Sequence, residues 1–406
     1  MYRKRTFAVV LTAGALALAA CSSSGGSSGG GGAAGSSRPA PPKVAMATAV
    51  GAGEGQLNVI AWAGYAEDGS NDKTVDWVHP FEKDTGCKVN VKVANTSDEM
   101  VTLMQSGQYD VVSASGDATL RMIYGGDVAP VNTTLVPNYA TIFPFLKDRD
   151  WNSVEVDGKR QMYGIPHGWG ANLLMWNSKD VNPAPTSWGA VFDASSPYKG
   201  KITAYDSPIY IADAALYLMK TKPDLGIKNP YALDQKQFDA AVNLLKTQRT
   251  LVGEYWSDYT KEVQAFESGT SVLGTTWQVI ANLIDSDKKV GIKAIVPAEG
   301  STGWSDTWML SSKSQHPNCS YKWMDYIVSP SVNAQVASWF GEAPAQSKAC
   351  DEKDMADLCT TYHAADKAYS DNIWYWTTPT ASCLDGRSVK CVAYPQWTQA
   401  WTGIKG

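Results

Sequence analysis

The sequence has few charged residues and few of the side chains that usually build metal and catalytic sites. Only 18% of its 406 residues are charged, its four histidines are scattered, and no two cysteines form a C-x-x-C pair. Clustered Cys and His ligands are typical of zinc proteins, so we expect no metal and no cofactor. Residues 51–406 contain no G-x-S-x-G, no H-E-x-x-H and no Gly-rich phosphate-binding loop. These absences make an enzyme the less favoured class, with a secreted hydrolase kept as an alternative.

Long apolar runs are also scarce, and the clearest one, residues 7–20, follows three basic residues at positions 3–5. This run is too short to cross a bilayer comfortably and predicts a secretory signal peptide over residues 1–20. It ends in Leu-Ala-Ala-Cys, which resembles the lipobox of bacterial lipoproteins. The resemblance implies cleavage before Cys21 and a lipid on its sulfur, whereas an ordinary signal peptidase would leave Cys21 unmodified. We therefore expect a lipid-anchored protein on the cell membrane, facing outside the cytoplasm.

The residues after Cys21 predict a tether. Residues 22–43 form a Gly/Ser tract followed by a Pro/Ala segment, a composition that buries no apolar surface and behaves as flexible coil. We assign residues 21–54 to this tether, which leaves about 350 residues, enough for two domains of ordinary size. Loss of residues 1–20 removes three basic side chains and changes the formal net charge from −5 to −8. A mildly acidic body argues against a nucleic-acid partner, and we expect a monomer.

Six cysteines remain once Cys21 is set aside. An even number in an exported chain predicts three disulfides, although 15 pairings are formally possible. Short loops favour two local pairs, and the third pair, which joins distant segments, follows by elimination. The predicted pairs are Cys350–Cys359, Cys383–Cys391 and Cys87–Cys319.

The body of the chain alternates strand and helix patterns, which is typical of an α/β fold. Alternation of Val89, Val91 and Val93 predicts a half-buried strand with these side chains inward. Thr96 and Glu99 predict a capping box at the start of a helix. The predicted strands cover residues 57–62, 87–95, 109–113, 199–205 and 272–277, and the predicted helices cover 74–83, 96–104, 211–220, 237–247, 321–327 and 331–339.

Seven segments in a fixed order resemble the substrate-binding proteins of ABC importers, most closely the spermidine/putrescine-binding branch. They are AWAGY, FEKDTGCKV, QSGQYDVVSAS, YGIPHGWG, a Tyr-Lys-Gly before a strand, FESGTSVLGTTW and GWSDTW, within about residues 55–345. The resemblance implies a two-lobed, periplasmic-binding-protein-like (type II) α/β fold with a ligand cleft between the lobes. Lobe 1 then comprises residues 55–167 plus about 306–345, lobe 2 comprises 168–305, and a disulfide-bearing C-terminal segment, 346–406, packs on the lobes.

In that family the binding site is built from aromatic rings and a few carboxylates. Polyamine binders carry two acids spaced three apart after the Tyr-Lys-Gly strand, but these positions here are Ser207 and Tyr210. The identity of the ligand therefore stays open. Trp308 is expected to pack inside its strand and His167 to lie at the lobe hinge. The ligand-binding residues implied by the resemblance are Trp62, Tyr65, Ser115, Asp117, Asp206, Tyr210, Trp277, Trp304 and Asp306.

The expected function is that of the extracytoplasmic solute-binding component of an ABC importer, which delivers its ligand to a membrane permease. Aromatic ring faces attract positive charge, and a buried ammonium group needs a carboxylate partner. The combination favours a small cationic solute, a polyamine or related amine. A neutral solute such as a sugar is the alternative within binding proteins, because sugar sites also use Trp faces and acids.

Overall fold

Two separate β-sheets form the framework of the protein. The computed structural model describes residues 40–286 and 290–406, so the predicted signal peptide, Cys21 and most of the predicted tether lie outside the described residues. The strands are β1 Gln56–Ala61, β2 Lys88–Val93, β3 Val111–Ala114, β4 Val128–Ala129, β5 Ser153–Val156, β6 Lys159–Met162, β7 Gly164–Ala171, β8 Leu173–Asn177, β9 Ile202–Tyr205, β10 Val252–Trp256, β11 Leu273–Thr276, β12 Ile292–Ile295, β13 Ser301–Ser311, β14 Ala343–Pro344 and β15 Ile373–Tyr375.

The first sheet has eight strands in the order β14-β7-β13-β3-β1-β2, with β4 and β15 also paired to β13. Its β1, β2 and β3 are parallel, whereas β13 runs antiparallel to both β3 and β7. The second sheet has five strands in the order β10-β9-β11-β8-β12. Strands β5 and β6 form a separate antiparallel pair. The expected α/β fold with two lobes, one for each large sheet, is confirmed.

Helices cover the two large sheets. They are α1 Val78–Thr85, α2 Ser97–Gln105, α3 Gly116–Gly125, α4 Gly189–Phe192, α5 Ile211–Thr221, α6 Gln235–Arg249, α7 Tyr259–Glu267, α8 Gln278–Ser286, α9 Pro317–Ile327, α10 Pro330–Phe340, α11 Ala356–Thr361, α12 Lys367–Ser370 and α13 Tyr394–Lys405. Short 3-10 helices occur at Thr133–Leu135, Pro137–Thr141, Pro144–Leu146, Pro208–Tyr210, Pro223–Leu225 and Ser347–Asp351. None of the helices in the described part of the chain is both long and apolar enough to span a membrane.

The chain passes between the two sheets three times. Asn172 separates β7 in the first sheet from β8 in the second, and residues 296–300 lead from β12 back to β13. The C-terminal segment makes the third crossing, because β15 pairs with β13 while α13 packs on α6 of the second lobe. The chain therefore passes from one sheet to the other close to residues 168 and 306, where the lobe boundaries were expected. Those boundaries themselves stay a prediction.

A local sequence signal marks the start of α2, whereas the prediction that the valines of β2 all point inward was wrong. The Thr96 side chain accepts the Glu99 backbone N–H at the start of α2, as a capping box requires, while the Glu99 carboxylate reaches the Asn95 N–H. Strand β2 lies at the edge of its sheet, and only Val89 of its valines is buried. Val91 and Val93 are 39% and 43% exposed. The alternation that predicted a half-buried strand therefore occurs here in an edge strand, and few other residues cover these valines.

All three predicted disulfides are present. Cys87–Cys319 ties the residue before β2 to α9, across 232 positions of the sequence. Cys350–Cys359 and Cys383–Cys391 close local loops in the C-terminal segment. The long-range bridge lies within the first lobe, so it leaves the junction between the lobes free to move.

Candidate functional site

Five aromatic side chains from both lobes meet where the chain crosses between the sheets. The Trp277 ring centroid lies 6.2 Å from that of Trp304 and 5.4 Å from that of Tyr205, and Tyr205 stacks on Trp376 at 5.6 Å. Phe340 contacts Trp304 edge-on at 6.1 Å. Both the second lobe and the C-terminal segment therefore contribute to this ring cluster, which we define as Tyr205, Trp277, Trp304, Phe340 and Trp376.

Asp306 stands beside the ring cluster, two residues after Trp304 on β13. Ser115 Oγ donates a hydrogen bond to Asp306 Oδ1 at 2.5 Å, and Tyr65 Oη lies 2.7 Å from Asp306 Oδ2. The carboxylate is 3% exposed. Burial is the largest influence and raises its pKa to about 6, while the two hydroxyl partners lower the pKa and nearby Asp117 raises it. Asp306 is therefore held in place by two partners, neither of which is a cation.

Glu342 is a second buried acid at the same point. Its Oε2 lies 2.6 Å from the Tyr65 hydroxyl, which also contacts Asp306. A phenol carries one hydrogen, so both contacts are hydrogen bonds only if one carboxyl is protonated. Burial raises the pKa of Glu342 well above its usual value and also raises that of Asp306, and this favours Glu342 as the carboxyl that keeps the proton. A Cβ at Gly168 would lie 2.0 Å from the Glu342 carboxyl, so this position of Glu342 requires glycine there.

His167 does not supply a positive charge to these acids. Its Nε2 lies 3.7 Å from Glu342 Oε1, and its ring packs edge-on against Tyr65 at 4.2 Å. The ring is fully buried, and burial lowers its pKa to about 3. His167 is therefore neutral at physiological pH. It lies in β7, the strand that leads to the crossing at Asn172.

Asp117 lies near this acid group in the first turn of α3. It is 2% exposed, and Ser97 Oγ donates a hydrogen bond to its Oδ1 at 2.9 Å. Burial raises its pKa to about 6, and Arg121 lowers the pKa only from a distance because its guanidinium pairs with Asp98. In the described part of the chain, no Lys or Arg lies within ion-pair distance of the acid group, which we define as Asp117, Asp306 and Glu342.

A chain of hydrogen bonds fixes Trp277 to the crossing strands. Its indole N–H donates to Asn172 Oδ1 at 3.0 Å, and Asn172 Nδ2 donates to Thr302 Oγ1 at 2.6 Å. Thr302 Oγ1 in turn donates to Asp213 Oδ1 on α5 at 2.9 Å. The rings of the second lobe are thus tied to both crossings through polar side chains.

The structure brings most of the predicted site residues together. Trp277 and Trp304 belong to the ring cluster, Tyr65 and Ser115 bond to Asp306, and Trp62 is partly buried against the apolar core of the protein. Trp308 is fully buried against Tyr65 and Trp323, as expected for a packing residue.

Asp206 and Tyr210 have other partners. Lys405 Nζ lies 2.7 Å from Asp206 Oδ1, and the Trp401 N–H also donates to this carboxylate. Tyr210 is 2% exposed, accepts a hydrogen bond from the Gln248 amide and packs on Phe192 and Trp401. Both side chains therefore serve the packing of α13 on the second lobe rather than the ring cluster.

Sequence reasoning missed five residues of the site, among them Phe340, the last residue of α10. Tyr205 ends a strand that was predicted, so its position beyond a carboxyl end of the sheet was the available signal. Glu342, Trp376 and Asn172 lie in connections without a local pattern. Their proximity to Trp304 and Asp306 depends on long-range packing.

The rings leave little free space between them. A cavity of about 20 Å³ is lined by Trp277, Trp304 and Glu342, together with Trp169 and Tyr362. A volume of this size holds about one water molecule. A larger solute does not fit in this space in the present arrangement of the side chains.

Comparison with known proteins agrees with this architecture. The model of the family of bacterial extracellular solute-binding proteins matches residues 76–361. A spermidine/putrescine-binding periplasmic protein of Escherichia coli K12 is 23% identical over 299 residues, covering 71% of this chain and 81% of that protein.

Solved structures show the same fold. The structure of a putative spermidine/putrescine ABC transporter from Listeria monocytogenes aligns with a TM-score of 0.68 at 17% identity, covering 87% of this chain and 99% of the other. The binding protein MotA from A. tumefaciens B6, in complex with glucopine, aligns with a TM-score of 0.60 at 15% identity, covering 86% of this chain and 100% of the other. With the family model matching well over half of its length, this chain belongs to the bacterial extracellular solute-binding proteins.

Proposed function

We propose that this protein is the substrate-binding component of an ABC importer and captures a small cationic solute, a polyamine or related amine. The observation that carries the proposal is the acid group beside the ring cluster. Asp117 and Asp306 are buried without a basic partner among the described residues, and the basic side chain beside Glu342 is His167, which is neutral. Buried carboxylates are costly unless they are paired, so a bound cation would supply the missing partner.

The rings add to this attraction. Each contact between a cation and an aromatic face contributes ~0.5–2 kcal/mol, depending on how far it is desolvated. Trp277 comes from the second lobe and Trp62 from the first, so a ligand that contacts both stabilises the closed arrangement. Release to a permease would follow when the lobes separate.

A neutral sugar fits the site less well. Sugar sites pair hydroxyl groups with polar side chains of both kinds, donors and acceptors. Here the acid group lies beside the rings together with Asn172, and burial raises the pKa of each member of the acid group. A cation lowers those pKa values on binding, whereas a neutral sugar leaves the burial penalty in place.

A thermal-shift screen of purified protein tests the function. The panel contains polyamines, betaines, amino acids and oligosaccharides, and we expect stabilisation by amines and none by oligosaccharides. Asp306→Asn keeps the shape and removes the charge, and exposed Asp357→Asn is the matched control. The amine shift should vanish in the first variant and persist in the control. Oligosaccharides as the best stabilisers, or equal amine shifts in all three proteins, would contradict the proposal.

Lipid anchoring through Cys21 and a monomeric state belong to the same proposal. The support is the Leu-Ala-Ala-Cys site and the Gly/Ser tract behind it. Two acyl chains hold a protein stably on a bilayer without a spanning helix. Cys21→Ser should move the protein from the membrane fraction to the soluble fraction. A Cys21→Ser protein that stays as firmly membrane-bound as the original would refute the anchor.

A further inference from the structure

We propose that the C-terminal segment holds a ring of its own in the ligand site, and that a ligand must displace this ring, Trp376, in order to bind. Trp376 belongs to the strap, which we define as residues 373–378. The match to the family model ends at residue 361, so the strap lies outside the part of the chain that the family model covers. This inference goes beyond the proposed function, and its tests with amines rest on that function.

The two ends of the strap are held by different lobes. On its N-terminal side, α11 packs against β14 of the first sheet, and β15 pairs with β13. On its C-terminal side, the Val392 N–H donates to the Leu233 carbonyl at 2.8 Å, and α13 packs on α6 of the second lobe. A segment anchored at both ends presents its side chains to the site at a high effective concentration.

The backbone of the strap covers the start of α3. The Thr378 N–H donates to the Gly116 carbonyl at 2.9 Å, and Thr378 Oγ1 donates to the Asp117 carbonyl at 2.9 Å. A Cβ at Gly116 would lie 1.8 Å from the Trp376 carbonyl oxygen, so this approach requires glycine. The strap therefore lies at the carboxyl end of β3, and ligands of open α/β sheets bind beyond the carboxyl ends of strands.

The Trp376 ring lies at the carboxyl end of a strand in the other sheet. It stacks on Tyr205, the last residue of β9, with the ring centroids 5.6 Å apart and the planes at 11°. Tyr205 in turn contacts Trp277 at 5.4 Å. Trp376 thus touches strand ends of both lobes, as a ligand held between the lobes would.

Little room for a solute remains beside these rings. The cavity next to Trp277 and Trp304 has a volume of about 20 Å³. Trp376 is 4% exposed, and its indole side chain is larger than a small aliphatic amine. Departure of this ring from Tyr205 would open a space large enough for such an amine.

Two features favour a ring that can leave. Trp376 Nε1 is buried and has no hydrogen-bond partner among the described residues, a state that costs free energy and ends when the ring reaches water. The strand before it, β15, has only three residues, and the Trp376 N–H donates to the Gly303 carbonyl at 2.7 Å. A ligand therefore has few interactions to break when it lifts residues 376–378 off α3.

The contact is autoinhibitory. A ligand binds only the fraction of molecules in which Trp376 has left the site, so its apparent affinity is reduced by that fraction. Removal of the ring should raise the affinity, whereas removal of a ring that contacts the ligand should lower it. The sign of the effect separates the two roles.

Titration calorimetry on the full chain with putrescine and with butylamine measures this sign. Trp376→Ala should bind both amines at least about tenfold more tightly than the original protein. Trp374→Ala is the matched control, because this second strap ring lines a surface pocket with Arg149, and its loss leaves Tyr205 covered. The control should bind the amines as the original protein does. Equal or weaker amine binding by Trp376→Ala, or the same gain in both variants, would overturn the inference.

Hydrogen exchange tests the displacement without a substitution. The amides of Trp376 and Thr378 are bonded to Gly303 and Gly116, so saturating putrescine should speed their exchange if the strap leaves α3. A strap that forms a fixed wall of the site would exchange more slowly with ligand bound. Helix α13 is the internal control and should be unchanged. Slower or unchanged exchange at residues 376–378 would overturn the inference.

Maltose, as a neutral third probe, separates failure of the inference from failure of the proposed function. If Asp306→Asn abolishes amine binding but Trp376→Ala brings no gain, the cation-binding function stands and the inference falls. If only maltose binds and Trp376→Ala binds it more tightly, the cation-binding function is refuted and the inference stands. Absence of binding of all three probes to both the original protein and Trp376→Ala would overturn both.

Discussion

Asp306→Asn should have opposite effects on stability and on ligand binding. The native environment raises the pKa of Asp306 from 3.8 to about 6, which corresponds to about 3 kcal/mol of free energy. This is the penalty for keeping the carboxylate charged in the protein without a bound cation. An amide of the same shape carries no charge and avoids the penalty. Its oxygen can accept from Tyr65 and its N–H can donate to the Ser115 hydroxyl oxygen, so both present partners remain usable.

The sign of the pH dependence follows from the raised pKa. Native Asp306 holds its proton more tightly than the unfolded chain does, so its penalty is absent below pH 3.8. The penalty grows as pH rises from about 4 to about 6 and is complete above that range. The groups that face Asp306 are Ser115, Tyr65, Asp117 and, at longer range, Tyr205 and Glu342. All of them remain in the variant.

Urea unfolding at pH 4.5 and pH 7.5 measures the effect. We expect the two proteins to be close in stability at the lower pH and the variant to be more stable by up to about 3 kcal/mol at the higher pH. Butylamine affinity should fall by up to about tenfold per pH unit below pH 6 in the original protein and be weak and flat in the variant. A variant that is less stable at both pH values by the same amount would refute the reasoning, because Asp306 would then be only a structural hydrogen-bond acceptor.

Three other changes test separate parts of the structure. Trp62→Ala and Trp277→Ala should each weaken ligand binding by ~1–3 kcal/mol, about ten- to a hundredfold in affinity. If calorimetry shows weaker binding in only one of the two variants, the ligand is not held by both lobes. In the chain-entropy model, replacing both Cys87 and Cys319 with serine should destabilise the protein by up to about 5 kcal/mol, whereas removing either local disulfide should cost about 2.5 kcal/mol. Equal losses of stability in urea unfolding would contradict this model. Glu342→Gln retains a donor for the Tyr65 hydroxyl and should cost under about 1 kcal/mol, whereas Glu342→Ala should cost about 2–4 kcal/mol; equal costs would show that Glu342 does not hold the proton.

Much of the fold was predictable from local patterns, because helix caps, strand alternation and loop lengths are encoded by neighbouring residues. The capping residue Thr96 and the start of α2 are one example, and the two local disulfides are another. The edge position of β2 was not predictable in this way. Val91 and Val93 carry the same alternation whether or not another strand or helix covers them, and only the strand order shows that they are exposed.

Part of the candidate site could likewise be predicted from the sequence, and part could not. Trp304 and Asp306 lie two residues apart in one strand, so the sequence by itself determined that a ring and an acid share one face of β13. Tertiary structure alone decided that Glu342 meets Tyr65 and that Trp376 stacks on Tyr205, since these contacts join segments more than 150 positions apart. The same holds for the pairing of Asp206. The sequence gives Asp206 no evident basic partner. In the structure, α13 packs against Asp206 and places Lys405 within 2.7 Å, so the carboxylate is paired.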